Sequence, residues 1–410
     1  MTKVDVTNHD TKKAVYAVAT MDTKGEELAY VADVIRSTGH RVRMVDVGTH
    51  GPPTVSPDVS QAEILAASGL SGCSQDRGQA VTEMGNALRA FLLDEQRQGR
   101  VAGVIGIGGS GGTALITRAM RALDIGLPKV MVSTVASGNT APYVDCSDIT
   151  MMYSVVDVAG LNAVSRRVLG NAANAMAGMV EHPLAEQKTG ATVAATMFGV
   201  TTPCVDRVRR SMESQGVDCL VFHATGTGGR AMERLVESGF VQGVIDATTT
   251  EVADEIVGGI FPCGTSRFDR TIAAKIPLVV SLGAVDMVNF GALESVPPQF
   301  SDRNLHVHNA QVTLMRTNVE ENLAIARWIS DKLNRTESPV TVVVPESGVS
   351  MLDAPGQPFY DPQADQALFE ELDRTLQCDE TRRLVRLPLH INDPAFSDAL
   401  VSEYNRLTRS

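Results

Sequence analysis

Short runs of continuous apolar residues alternate along this chain with longer segments of helical period. The first run, Ala14–Ala19, reads as a strand. Apolar positions then recur at helical spacing over 26–37, and Gly39 stops the pattern. A second strand is predicted at 42–47. Such a β-α-β opening implies a parallel sheet. Residues 48–75 are rich in Gly, Pro and Ser and read as a loop-rich insertion. A long amphipathic helix over 77–96 leads to a strand at 101–107, a glycine loop, a helix over 113–123 and a strand at 129–132. Residues 158–180 read as a helix dense in Ala and Gly, whose small side chains suit close packing on a sheet.

A linker is expected at 182–189, after which the pattern restarts. Ala-Thr-Met closes the strand at 191–197 as it does the one at 14–21. Thr20 and Thr196 are 176 residues apart, and the helix-stopping Gly39 and Gly216 are 177 apart. The fold class predicted is α/β, with two Rossmann-like parallel-sheet domains over 1–183 and 184–410, from an internal duplication or from two independent β-α-β openings. The second half continues with strands at 219–222, 243–245, 278–281, 340–344 and 383–387 and a last helix over 394–407. Its own glycine loop, at 224–229, follows strand two of its domain. The first loop follows a later strand, so the two are not equivalent.

Composition narrows the class. The 410 residues are 43% hydrophobic but only 4% aromatic, which suits parallel sheets under closely packed helices. A net charge of −12 without a dense Lys/Arg run argues against a nucleic-acid partner. It does not exclude an anionic ligand, because helix N-termini offer positive potential without charged side chains. The six cysteines, none in C-x-x-C spacing, read as reduced thiols. No apolar run is long enough for a membrane span, and the polar N-terminus lacks a secretory pattern, so a cytoplasmic location is expected.

The strongest chemical signal is the glycine loop Gly108, Gly109, Ser110, Gly111, Gly112 and Thr113 between strand and helix. Five of the seven residues from Gly106 to Gly112 are glycine, more than a plain βα turn needs. Glycines that reach positive φ can turn several N–H groups toward one phosphate, with the helix dipole and two hydroxyls in support. Three named motifs overlap it. The dinucleotide fingerprint lacks an acidic residue after the next strand, and a Walker A loop would need Lys before Thr113. The nucleophile elbow Gly108-x-Ser110-x-Gly112 would need an Asp and a later His, such as Asp246 and His306. At the same carboxyl edge, Met21, Asp22, Thr23 and Lys24 open the first helix. Lys24 can replace the missing phosphate-binding lysine and Asp22 can hold Mg²⁺; helix capping by Asp22 or Thr23 is the alternative. Ser133, Ser137, Gly138 and Asn139 close another strand and can meet a base or ribose.

In the second half, Thr225, Gly226, Thr227, Gly228, Gly229 and Arg230 read as an anion or carboxylate site, which Glu251, Asp286 and Arg303 can join. His306 and His308 share one face of an extended segment, which suits a metal or an acid/base pair but completes neither. Cys263 is a nucleophile by type only, and the stretches around Asp361 and Asp393 read as turns and caps.

The strings AVATMDTKGEEL, GIGGSGGTAL, MVSTVASGNTAPYV, ATGTGGRAMERLV, FSDRNLHVHNAQVTLMRTN and LPLHINDPAF occur in this order. Together they resemble the ATP-binding region of the tomato mosaic virus resistance protein family, shared by bacterial proteins of similar length. The resemblance implies two Rossmann-like subdomains, ATP with Mg²⁺ in the first on the loops at 21–24, 108–113 and 133–139, and a homodimer. Plant members are expected to add a C-terminal barrel and inhibit viral RNA replication. This chain is expected to lack the barrel, so that role does not carry over. The resulting expectation is an ATP·Mg²⁺-binding protein that acts on or senses a small acidic metabolite at the second domain. The alternatives are a hydrolase using Ser110 or His306 and His308 between the domains, and a non-catalytic ATP sensor.

Overall fold

In the computed structural model of this chain, which describes residues 13–74, 76–183 and 190–409, the apolar runs are parallel strands buried between helices. Two units separate, Met1–Glu186 and Gln187–Ser410. Residues 184–189 of the expected linker lie outside the described residues.

The first unit contains β1 (Ala14–Ala19), α1 (Met21–Ser37), β2 (Val42–Asp46), α2 (Gln61–Ala67), α3 (Arg77–Arg97), β3 (Val101–Gly108), α4 (Ser110–Met120), β4 (Lys129–Ser133), α5 (Ala141–Val144), β5 (Thr150–Tyr153) and α6 (Ala163–Glu181). The sheet order is β2-β1-β3-β4-β5, parallel throughout. Alternation along β1 explains the double winding. Ala14, Tyr16 and Val18 pack with α3 and α4, while Val15, Ala17 and Ala19 pack with α1 and α6. Strands covered on both faces must be apolar at every position, hence the unbroken runs.

The second unit contains β6 (Thr192–Met197), α7 (Thr202–Ser214), β7 (Asp218–His223), α8 (Thr227–Glu237), β8 (Gly243–Thr248), α9 (Thr250–Val257), α10 (Asp269–Ala273) and β9 (Leu278–Gly283). It goes on through β10 (Met287–Phe290), β11 (Leu305–Asn309), β12 (Val312–Arg316), α11 (Val319–Leu333), β13 (Val340–Pro345), α12 (Pro362–Thr375), β14 (Arg382–Leu387) and α13 (Pro394–Arg409). Its parallel sheet, β7-β6-β8-β9-β13-β14, repeats the winding of the first unit with one strand added. The fold is therefore α/β with two Rossmann-like parallel sheets. A small antiparallel sheet, β10-β12-β11, is an addition that the apolar pattern did not announce.

Several boundaries move. The helix expected from Thr113 starts at Ser110, so the glycines lie inside its first turn. The helix expected from Val158 starts at Ala163, and the 48–75 insertion contains α2. Strand β5 was not foreseen: it is short and lies at the sheet edge. Asp361 caps α12 by accepting from the Ala364 amide, as its position before Pro362 suggests.

Candidate functional site

Strand order 2-1-3-4-5 reverses direction between β1 and β3, and open parallel sheets bind ligands at the carboxyl ends of the strands at such a point. Met21, Asp22, Thr23 and Lys24 form the first turn of α1, which starts at Met21 directly after β1 and not at the expected 26, with Lys24 itself at non-helical φ −133°. The glycines run from the end of β3 into the first turn of α4. The β4 loop adjoins them, its Thr134 amide donating to the Gly108 carbonyl at 3.3 Å. Ser137, Gly138 and Asn139 follow in that loop and are exposed.

None of the glycines from Gly106 to Gly112 has positive φ, which corrects the expectation of a turned-in nest of amides. The donors come instead from the helix start. Gly109 is the N-cap of α4, with φ −79°, and no side chain caps the helix. Thr113 is the first residue to bond back, its amide reaching the Gly109 carbonyl at 2.8 Å. The amides of Ser110, Gly111 and Gly112 therefore point out of the helix end.

The glycines differ in purpose. A Cβ at Gly106 would stand 2.7 Å from Ile116 and Met131, and one at Gly108 3.2 Å from Gly112, so these two serve packing. A Cβ at Gly111 or Gly112 would meet nothing within 4 Å. The protein's own packing gives no reason for glycine there. Thr113 and Ser133 are buried and bond each other at 2.6 Å, so their hydroxyls brace the loop from beneath.

Around the β1 loop, Asp22 caps nothing: its Oδ2 accepts from the His50 amide at 3.2 Å, and its Oδ1 is buried without a partner. Asp46, at the end of β2, accepts from the Met21 and Gly48 amides at 3.0 and 2.8 Å. A Cβ at Gly48 would be 3.0 Å from the Asp22 carboxyl carbon and 3.1 Å from Asp46 Oδ1, so the two carboxyls flank one glycine. Burial first, and the Asp22 charge in a minor way, raise the Asp46 carboxyl above its usual range. Asp46 was missed, although an acidic residue closing an apolar strand is a readable signal. Lys24 Nζ donates to the Val158 carbonyl at 2.8 Å. Ser110 is exposed, and among the described residues no imidazole bonds its hydroxyl.

The second unit's glycine loop has a different explanation. The Gly226 and Gly229 amides both donate to Glu251 Oε1, at 2.7 and 3.1 Å. A Cβ at Gly228 would stand 1.8 Å from the His223 carbonyl oxygen, and one at Gly229 2.1 Å from Glu251 Oε2. The anion served by this loop is thus the chain's own carboxylate. Glu251 in turn meets the fully buried Arg267 at 3.3 Å, which also pairs with Asp246 at 2.6 Å and Glu233 at 3.0 Å. Thr225 and Thr227 stay within the turn, and Arg230 is half-buried on α8.

The other residues assigned to that site disperse. Arg303 forms a two-pronged pair with Glu321 at 2.7 and 2.8 Å, while Asp286 accepts from Ser350 at 2.7 Å. His306 packs edge-on against Phe359 and His308 is exposed. Among the described residues, no three His, Cys, Asp or Glu side chains converge to hold a metal ion. Both oxygens of Asp246 are engaged, by Thr196 and Arg267, which leaves it unpaired with His306. Burial pushes the Cys263 thiol up to about 12, which removes it as a nucleophile. Among the described residues no helix is long and apolar enough to cross a membrane.

Comparison with known proteins agrees with this two-part organisation. Residues 13–185 match the N-terminal domain, and residues 190–408 the C-terminal domain, of an uncharacterised protein family, UPF0261. A UPF0261 protein of Rhizobium meliloti is 52% identical over 96% of this chain and 98% of its own length. One of Mesorhizobium japonicum is 50% identical over 95% and 98%. The ToMV resistance protein Tm-1 of Solanum lycopersicum is 47% identical over 95% of this chain, which spans only 55% of the tomato protein. Among solved structures, the glycosyltransferase VinC in complex with DTDP aligns over 96% of both chains at 11% identity, with a TM-score of 0.18 that carries no argument. Two matched domains and relatives at half identity over nearly the full length make this chain a member of the UPF0261 family.

Proposed function

We propose that the first unit binds a nucleotide, ATP with Mg²⁺, at the β1/β3 switch point. The carrying observation is the bare start of α4, where the Ser110, Gly111 and Gly112 amides leave the helix beside two glycines that no packing requires. That arrangement suits phosphate oxygens better than a neutral ligand, because the helix dipole adds to the amides. Asp22 fits a cation role, since its buried Oδ1 has no partner, and Asp46 stands on the other side of Gly48. Mg²⁺ bound there would neutralise phosphate charge, in keeping with its habit of using one or two carboxylates plus the substrate's phosphates. Lys24 exchanges the Val158 carbonyl for a phosphate oxygen on binding. The β4 loop, with Ser137 and Asn139, lies toward the nucleoside.

A separate acidic metabolite at the Thr225 loop loses support, because Glu251 already occupies two of its amides. A hydrolase built on Ser110 likewise lacks a base partner among the described residues. Isothermal titration of ATP·Mg²⁺ into the full chain and into Gly111→Val tests the proposal. Saturable binding by the native protein and its loss in the variant, with an unchanged circular dichroism spectrum, is the expected result. No heat of binding with the native protein overturns it.

A further inference from the structure

The segment between β5 and α6 carries a strain that its packing does not explain. The Val156 amide donates to the Ser154 carbonyl at 2.7 Å, which closes a three-residue turn around Val155. Val155 stands at φ +66°. A γ-turn of positive φ is rare and strained, and a β-branched residue in that region is an outlier. Among the described residues Val155 is the only Val, Ile or Thr at positive φ. It is 57% exposed, so no buried packing fixes it there. Its neighbours hold the turn instead. The Ser154 amide donates to the Ser133 carbonyl at 3.2 Å, and the Ser154 hydroxyl to the Val156 carbonyl at 2.6 Å. Further on, Lys24 Nζ donates to the Val158 carbonyl at 2.8 Å, and the Gly160 amide donates to Glu27 Oε1. Lys24 and Glu27 both belong to α1, so one helix grips residues 158–160 at two points.

This strap passes the candidate site. It leaves β5 beside Ser133, at the end of β4, and reaches the start of α1 after β1. In the order β1-β3-β4-β5 it therefore crosses the carboxyl edge where β3 delivers the glycine loop. Lys24 is the movable part. It breaks the helical geometry of α1, and the acceptor of its ammonium is a neutral carbonyl. A phosphate oxygen is the stronger acceptor for an ammonium. We propose that residues 154–160 form a sprung strap latched by Lys24, and that an anion arriving at the start of α4 draws Lys24 off Val158 and lets the Val155 turn relax. The trigger rests on the nucleotide reading; the latch and the strain do not. Backbone strain of this kind collects at ligand clamps and switch segments, where its release favours the bound state. The state of the strap then reports whether the anion is in place.

Hydrogen exchange over residues 154–160 of the full chain tests latch and trigger separately. Without ligand, Lys24→Met should speed exchange there by roughly tenfold or more, the factor for losing a hydrogen bond to a charged group. Glycine is at ease at positive φ, so combining Lys24→Met with Val155→Gly should bring the rate back toward the native one. Unchanged exchange in Lys24→Met, or no rescue by Val155→Gly, overturns the inference whatever the protein binds. With saturating ATP·Mg²⁺, checked by calorimetry, exchange over the same residues should speed in the native protein. Val155→Gly alone, with no strain to release, should bind ATP·Mg²⁺ about tenfold more weakly. A native protein that binds ATP·Mg²⁺ with unaltered exchange at the strap overturns the trigger and leaves the nucleotide reading standing. No binding at all overturns that reading and the trigger together.

Discussion

Gly111 and Gly229 have the same composition around them and opposite reasons for being glycine. Gly111 sits in the first turn of a helix with open space where a Cβ would go. Gly229 is pressed against Glu251 and Arg267. Gly111→Ala should therefore stabilise the ligand-free protein by up to about 1 kcal/mol through helix propensity while weakening nucleotide binding. Gly229→Ala should destabilise by about 1–3 kcal/mol or more through overpacking next to buried charges. Urea unfolding of both variants checks the pair, and equal effects would refute the distinction. No inspection of GIGGSGGT beside ATGTGGRA separates these roles. The deciding neighbours, Glu251 and His223, reach the second loop through space, and sequence spacing says nothing of what occupies a pocket.

Among the elements, the strands were legible and the helix starts were not. Strands buried on both faces must be continuously apolar, so β1, β3, β4, β6 and β9 announce themselves within one or two residues. The helix α4 was placed three residues late because glycines read as loop, yet they are accommodated in its first turn, where the amides have no partner within the helix. The antiparallel β10-β12-β11 sheet escaped notice because its strands are short and β10 contains the buried polar Asn289. Of the candidate site, the loops after β1 and β3 were legible from position alone. Asp46 was legible as an acidic strand end but its role was not, because that depends on the approach of Asp22 across Gly48. The bare end of α4 gives an element-scale prediction. Gly109 already has extended N-cap geometry, and a Cβ there would meet only Thr134 Oγ1, at 3.8 Å. Gly109→Asp should install a cap, raise unfolding stability by about 0.3–0.5 kcal/mol and abolish nucleotide binding, because the carboxylate occupies the same amides. Paired urea melts and titration calorimetry read both effects, and a variant that gains stability yet still binds would count against an anion at this helix end.

Across the whole molecule, buried acids set the response to pH. Burial raises Asp254 and Asp286 to about 7 and Asp365 to about 8. Carboxyls whose folded values lie above their unfolded ones hold protons more tightly when folded. Their stabilising effect is full below about pH 4 and disappears as pH rises through 7 to 8. Stability should thus fall from about pH 4 toward 7 to 8, by about 1.4 kcal/mol per pH unit for each carboxyl that is protonated only in the folded chain, and level off above about pH 8. Urea midpoints across that range measure it, and a flat or rising profile would contradict the assignment. Both units share one winding, yet the second supplies its own carboxylate to a helix that the first leaves bare. A helix without its own cap borrows one from whatever binds it. Occupancy and structural integrity are then a single thermodynamic variable: a ligand at a hundredfold excess over its Kd adds about 2.7 kcal/mol to the first unit. The abundance of intact protein in a cell would follow the supply of that ligand, whether or not any chemistry is performed on it.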